Sequence, residues 1–481
     1  MNKIDKILGI KPIGICLVVL LVSISSCKKG LNINESPNFP NEVPLRTILP
    51  AAEANLAYTV GGSINRIGAS FVQQYAGHRN QPLEYGQYDI TPATTDNIWS
   101  SMYAGVLADL NSIALRSSAE GNTVYLGAAQ ILTAYTYSVL TDSYGDIPFS
   151  AALGGITNVN PAYDKQEAIY PALIELLNTG ITNVKSNQGN FKPGADDFIF
   201  GGDIVKWEKF ANSLKLRLYN HTSKVNPTAA LTFLNTNPLL MEANADNAAF
   251  KFGTTASTSN PIYQFDVISG RIDNAVAATL VNKMKASQDP RIPVFFYPVE
   301  NGALAGQYLG NVAGGDDDDS GSNKFSRVGS AYGATDAPVI LMSYAELQYI
   351  IAEIRQRAGN TAGAADAYSK ALDADFSFLG LGSAAAAYKA RPEVVFNGTL
   401  QRIMEQKWVT MFQAPYESWT DWRRTGFPVL VPAVLNRTGG VIPRRFPYPQ
   451  LEINLNGQSL AAGPGIPVPY RTILIGVWWD K

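Results

Sequence analysis

Cysteine is nearly absent from this chain. Cys16 and Cys27 are the only two in 481 residues, and both lie near the N-terminus. A disulfide framework, a thiolate metal site and a thiol nucleophile are therefore excluded from the rest of the chain. Histidine is as scarce. His78 and His221 stand alone, with no His-Glu-x-x-His pair, so a zinc protease is excluded. There is no Gly-x-Ser-x-Gly elbow and no Walker loop. Charged residues make up only 16%, against about 25% in an average protein. Lys and Arg total 38 against 40 Asp and Glu, so there is no basic footprint for nucleic acid. No apolar run approaches the roughly 20 residues that a membrane-spanning helix needs. What is plentiful is hydrophobic residues (46%), 41 Gly and 23 Tyr. This composition affords a large core and neutral, structured loops. It fits an extracytoplasmic protein, and disorder of the whole chain is excluded.

The N-terminus has the form of a secretory signal. Lys3, Lys6 and Lys11 precede a short apolar stretch at residues 13–24. Ile24-Ser25-Ser26-Cys27 follows and resembles a bacterial lipobox, which makes Cys27 the acylated first residue of the mature chain. The other reading is an ordinary signal peptide with a chance cysteine. Residues 1–26 are expected to be the signal and 27–44, with Pro37, Pro40 and Pro44, a lipidated tether. Residues 45–481 are expected to form a single domain. An acyl chain in the bilayer is the membrane attachment this implies.

Helical spacing dominates thereafter. Residues 124–140 are apolar on most faces and read as a buried helix. In 203–219, Trp207, Phe210, Ala211, Leu214 and Leu218 recur at helical spacing behind Asp203, a good N-cap. Ser343 and Glu346 suit a capping box, and Gly359 suits a helix stop. With 362–374 this makes a helix pair of tetratricopeptide type, whose apolar face needs neighbours stacked on it. Residues 166–179 and 399–412 are further helices. Residues 248–252 and 292–297 read as strand-like. Long loops rich in Gly, Asn, Pro and Tyr occupy 73–98, 185–203, 251–274, 297–337 and 426–475, and loops of such length are commonly functional.

Several stretches, in order, resemble the SusD/RagB family, in its SusD-like nutrient-binding branch. They are Leu140 to Phe149 (LTDSYGDIPF), Trp207 to Arg217, Asp289-Pro290-Arg291, Ile340 to Glu346 with Ala352-Glu353, and Glu405 to Trp408 with Glu417 to Gly426. Ile442 to Pro449 and Trp478-Trp479-Asp480 close the series. The resemblance implies a mainly α fold, with four tetratricopeptide-like helix pairs supporting a loop-rich region with a few short strands. It implies a non-enzymatic outer-membrane lipoprotein, facing outward, that captures an oligosaccharide for a SusC-like TonB-dependent transporter. Lys28, Lys29 and Gly30 follow Cys27, where surface export often goes with acidic residues. The alternatives are a lid for a transporter of peptides or other oligomers, and a glycoside hydrolase, whose paired carboxylates would be invisible in sequence. Asp142, Asp146, Arg217, Asp421, Arg423, Arg424, Arg444 and Arg445 are expected to form buried ion pairs and caps.

A glycan needs flat aromatic platforms and planar hydrogen-bonding groups. The candidate ligand residues are therefore Tyr75, His78, Arg79, Tyr85, Tyr88, Tyr263, Arg271, Tyr297 and Tyr332. Tyr85 and Tyr88 are expected at an exposed loop tip, where truncation costs little stability. Trp422 is expected in the core, and Trp99 likewise, at the start of a helix. No cofactor is expected. Asp316, Asp318 and Ser320, followed by Gly321, match the first half of a calcium loop, but Arg327 stands where a closing Glu belongs. The competing reading is a solvated acidic tip.

Overall fold

The computed structural model describes residues 43–480; the signal sequence, Cys27 and most of the tether lie outside the described residues. Helix α1 (Leu45–Thr59) runs through a π turn at Val60–Ile64 into α2 (Asn65–Phe71). Gly61 lets this segment pass close to Val339, since a Cβ there would lie 2.3 Å from the valine side chain. A second composite helix begins at Asp96–Ser100, passes a π turn at Ser101–Leu107 and continues as α3 (Ala108–Glu120), which packs on α1.

Helix α4 (Thr123–Tyr144) is buried on nearly every face, as its sequence requires. It lies antiparallel to α5 (Gln166–Ser186). Asn183 bonds Gln130 at one end and Tyr170 bonds Asp142 at the other. The two backbones approach closely at Gly127 and Gly180. Helix α6 (Ile204–His221) starts where Asp203 accepts hydrogen bonds from the amides of Val205 and Lys206. It pairs with α5 and with the short helix Ala229–Leu234.

The hairpin of α7 (Tyr344–Arg357) and α8 (Thr361–Phe378) turns at Gly359, whose φ of 75° an L side chain would resist. Ser343 Oγ accepts from the Glu346 amide at 3.1 Å. The expected return bond from Glu346 is replaced, because its carboxylate faces Arg217 instead. Helices α9 (Leu400–Thr410) and α10 (Pro415–Thr425) pack against α7 and α2. The tetratricopeptide-like pairs are thus α1 with α3, α4 with α5, α6 with Ala229–Leu234, and α7 with α8.

The remaining chain forms loops, short helical turns and two small antiparallel ladders. Strand β1 (Ala248–Phe250) pairs with β4 (Val339–Met342), and β2 (Phe296–Tyr297) with β3 (Arg327–Val328). Residues 292–297 are not the strand their apolar run suggested. Ile292–Phe295 is a helical turn that carries Pro at its start, and only two strand residues follow. The long segment 73–98 likewise contains the helix Asn80–Gly86.

Buried charges tie these parts together. Arg217 pairs with Glu346 at 2.6 Å, and Glu417 lies 3.5 Å away. His221 bridges Asp142 and Glu417, both at 3.1 Å, and Asp142 also accepts from Trp479 Nε1. Arg424 joins Glu353 and Asp421, and Lys407 completes the set at 2.7 Å from Asp421. Arg291 joins Asp289 and Asp375 in a third cluster. Arg423 stacks 3.7 Å over Trp419 and donates to the Asp142 carbonyl, whereas Arg444 pairs with Asp480. Asp146 caps the amides of Gln166 and Gly465, and Arg445 bonds the Tyr448 hydroxyl. The family-like stretches are thus structural ties. Trp422, expected in the core, is only half-buried, and Trp419 beside it is the fully buried ring.

Candidate functional site

Helix α1 and its continuation line two grooves with residues 54, 55, 58, 59, 62, 63 and 66. The first, of about 510 Å³, is walled by Ser63 and Arg66 from this segment, Asn97 and Ser101 opposite, and Gln264, Phe265 and Arg271 from the loop 258–274. Three π turns converge here: Val60–Ile64, Ser101–Leu107 and Gln264–Ile268. Such turns re-aim side chains and are frequent at functional sites.

The chemistry of this groove centres on two guanidinium groups. Arg66 lies 4.1 Å and Arg271 4.7 Å from the Phe265 ring centre. Arg271 is held by Asp273 at 3.0 Å. Arg66 has only Ser63 Oγ, at 3.3 Å, and its Nε is buried without a partner. Among the described residues no carboxylate lies within 4.0 Å of it. Burial lowers the Arg66 pKa, yet a guanidinium remains charged. The groove thus offers a guanidinium with no carboxylate partner beside an aromatic ring, a combination suited to hydroxyls and ring oxygens.

The second groove, of about 740 Å³, starts at Tyr58 and Gln264, which it shares with the first. Phe198, Phe250 and Phe252 form its aromatic walls, and Lys251, Ser257 and Thr258 its polar rim. A third groove, of about 570 Å³, lies on the other side of the loop 258–274. Tyr297, Phe325, Asp266 and Arg327 line it. Burial pushes the Asp266 carboxyl up to about 7, partly opposed by a hydrogen bond from Asn274 and by the charges of Arg66 and Arg327.

The structure scatters the residues that loop composition had pointed to. Arg271 and Tyr297 line grooves, and Tyr297 is exposed. Arg79 is partly exposed but held 2.6 Å from Asp273. Tyr263 is half-buried in the turn Pro261–Tyr263 and lines none of the three grooves. Tyr75, His78, Tyr85, Tyr88 and Tyr332 are buried, which corrects the expectation of an exposed loop platform. Tyr75 and Tyr332 pack on Phe412. Tyr88 packs edge-on against Phe71, and its hydroxyl accepts from the Ala433 amide. His78 is a loop tie: one ring nitrogen lies 2.7 Å from the Ile272 carbonyl and the other accepts from the Asp319 amide. Burial lowers its pKa, which suits a neutral ring.

The acidic loop is organised around Asp319 rather than the alternate acids of a calcium site. The Asp319 carboxylate is buried, accepts from the amides of Asn323, Lys324 and Phe325, and pairs with Arg327 at 2.9 Å. Asp316 and Asp318 are exposed, and Asp318 accepts from Ser320. Among the described residues no group of three or more His, Cys, Asp or Glu is arranged to hold a metal ion. Arg327, at the closing position, supplies the positive charge that a cation would have brought.

Sequence reasoning missed Tyr58, Arg66, Phe198 and Phe265. The first two sit on an amphipathic helix, where polar and aromatic residues on the outer face read as ordinary surface. The Gly61-Gly62-Ser63 interruption was the available signal, since such residues rarely stand inside a helix without a packing reason.

A family model described as SusD-like, starch-binding and associating with the outer membrane matches residues 37–449. Among solved structures, a chitin-binding protein is 26% identical, with 91% of this chain and 100% of that one covered, at a TM-score of 0.78. A SusD homolog from Bacteroides uniformis is 27% identical over 90% and 99%, at 0.74. A chitin-binding SusD homolog from Flavobacterium johnsoniae, at 24% identity over 91% and 98%, shares the fold at 0.78. No curated protein matches the chain.

Proposed function

The chain belongs to the SusD-like family, and from that membership we propose that it is a non-enzymatic lipoprotein of the outer membrane. It holds an oligosaccharide at the Arg66–Phe265–Arg271 groove and passes it to a SusC-like TonB-dependent transporter. The observation that carries this reading is the Arg66 guanidinium, which lies over the Phe265 ring without a carboxylate partner among the described residues and lines a groove with Asn97, Ser101 and Gln264. The glycan ligands named for the matching family and for one structural relative support it. Neither groove along α1 is lined by Asp or Glu, so the carboxylate pair of a glycoside hydrolase is missing from their described lining. For the transporter face, the exposed Val429, Val431, Val434 and Leu435 offer an apolar strip on one loop.

Calorimetric titration of the purified protein with N-acetylchitooligosaccharides and malto-oligosaccharides tests the reading. Saturable binding without release of shorter products is expected. Arg66→Met is expected to weaken binding about tenfold, the loss of one charge-assisted hydrogen bond. No binding of either series at millimolar concentration, or steady release of products, overturns it.

A further inference from the structure

We infer that the saccharide site is a track rather than one pocket, with a second subsite in the aromatic groove of Tyr58, Phe198 and Phe252. A linear oligosaccharide seated on Arg66 and Arg271 continues past Tyr58 and Gln264 into that groove. The inference rests on the saccharide-binding reading above and names the ligand's shape: an extended oligomer with apolar ring faces.

Continuity is the first argument. Residues 54, 55 and 58 line one groove and 58, 59, 62, 63 and 66 the other, so both follow a single face of one helical segment. At about 1.5 Å per residue this face is roughly 18 Å long, several times the width of a sugar ring. The two grooves share Tyr58 and Gln264, whose side chains meet through a long hydrogen bond of 3.4 Å. Such a bond is weak, and sugar hydroxyls can replace it.

The second argument is the chemistry beyond that divide. Tyr58 is 45% and Phe198 50% exposed, so both present ring surface to the groove. Neither is loose. Phe198 packs edge-on against Phe250 at 5.8 Å, and Phe250 against Phe252 at 4.9 Å. The Phe198 amide donates to the buried carboxylate of Glu53 at 2.7 Å, which fixes its backbone to α1. Preorganised aromatic faces take up the C–H faces of sugar rings at low entropic cost. Lys251, Ser257 and Thr258 on the rim meet the outward hydroxyls.

Binding measured against chain length tests this. The purified protein is titrated with di-, tetra- and hexasaccharides of the N-acetylchito and malto series. In at least one series, affinity is expected to rise tenfold or more from disaccharide to hexasaccharide. In Phe198→Ala the same ratio is expected to fall below threefold, and Tyr58→Ala supplies an independent truncation of the same wall. Melting curves verify that each variant is folded. Equal affinity for di- and hexasaccharide in the unaltered protein, or a length gain that survives both substitutions, overturns the track while leaving the Arg66 groove intact. Silence from every oligosaccharide removes the saccharide reading itself, and the track with it.

Discussion

Removing the His221 ring leaves two carboxylates, Asp142 and Glu417, facing each other across a buried gap. Burial works against the charged ring, but the charges of Glu417 and Asp142 more than offset it, and the His221 pKa is pushed up to about 9. A folded-state value above the unfolded 6.5 means that folding takes up a proton. This stabilisation is full below pH 6.5 and is lost as pH rises through about 9. Thermal melts between pH 6 and 10 should show a falling midpoint across that window. His221→Gln should flatten that fall and cost about 3–5 kcal/mol, as breaking a buried ion pair does. A pH slope unchanged in the variant would place the titrating group elsewhere. Tyr88 obeys the same logic of burial. It is 1% exposed, so Tyr88→Ala should cost about 3–5 kcal/mol, against little for the exposed Tyr297→Ala. Equal losses in urea melts of the two would refute the assignment of one ring to core and the other to groove. Sequence placed Tyr88 at an exposed loop tip and counted both rings as ligand candidates, because burial of a loop side chain depends on partners far along the chain. Here those partners are Phe71 and Ala433.

At the scale of elements, the contact between α4 and α5 depends on what is missing from it. A Cβ on Gly127 would lie 2.6 Å from the Gly180 carbonyl oxygen and 2.6 Å from Val184. Backbone cannot rotate out of the way as a side chain can. Gly127→Ala should therefore destabilise by about 1–3 kcal/mol through overpacking, although alanine is the better helix former. Gly194, with open space around its Cβ position, provides the control: Gly194→Ala should be neutral or slightly stabilising. Equal melting midpoints for the two variants would show that the helices can separate at little cost. Elements of this kind were the most legible part of the sequence. The α6 periodicity, the Asp203 cap, the Ser343 cap and the Gly359 stop all appear where the pattern puts them, since each is a local rule. The two-residue ladders were not legible. Phe296 and Tyr297 are strand only because Val328 and Arg327 arrive beside them. The grooves were half legible for the same reason: Arg271 and Tyr297 came from loop composition, whereas Arg66 and Tyr58 act through a helix face that gains its meaning from the loop 258–274 folded over it.

The whole molecule divides its labour. Buried ion clusters join helices distant in sequence, such as α6, α7 and α10 through Arg217, Glu346 and Glu417, and fix the frame. The loops laid over α1 can then vary in sequence without loosening that frame. The proposed lipid anchor precedes this frame in the sequence. Cys27 precedes a polar, proline-bearing stretch, and among the described residues the hydrophobic core begins at Leu45. Cys27→Ala should therefore leave the melting midpoint and saccharide affinity unchanged while moving the protein out of the membrane fraction. The physical reason is that acylation of Cys27, as proposed, would supply the attachment, and no helix among the described residues is long and apolar enough to cross a membrane. Washing the membranes at high salt before fractionation removes protein held only by contact with a transporter, because surface electrostatics are screened there. Persistence of Cys27→Ala in the washed membranes would show that the lipobox reading is wrong. Release of the variant together with a loss of stability would instead place the N-terminal stretch inside the fold.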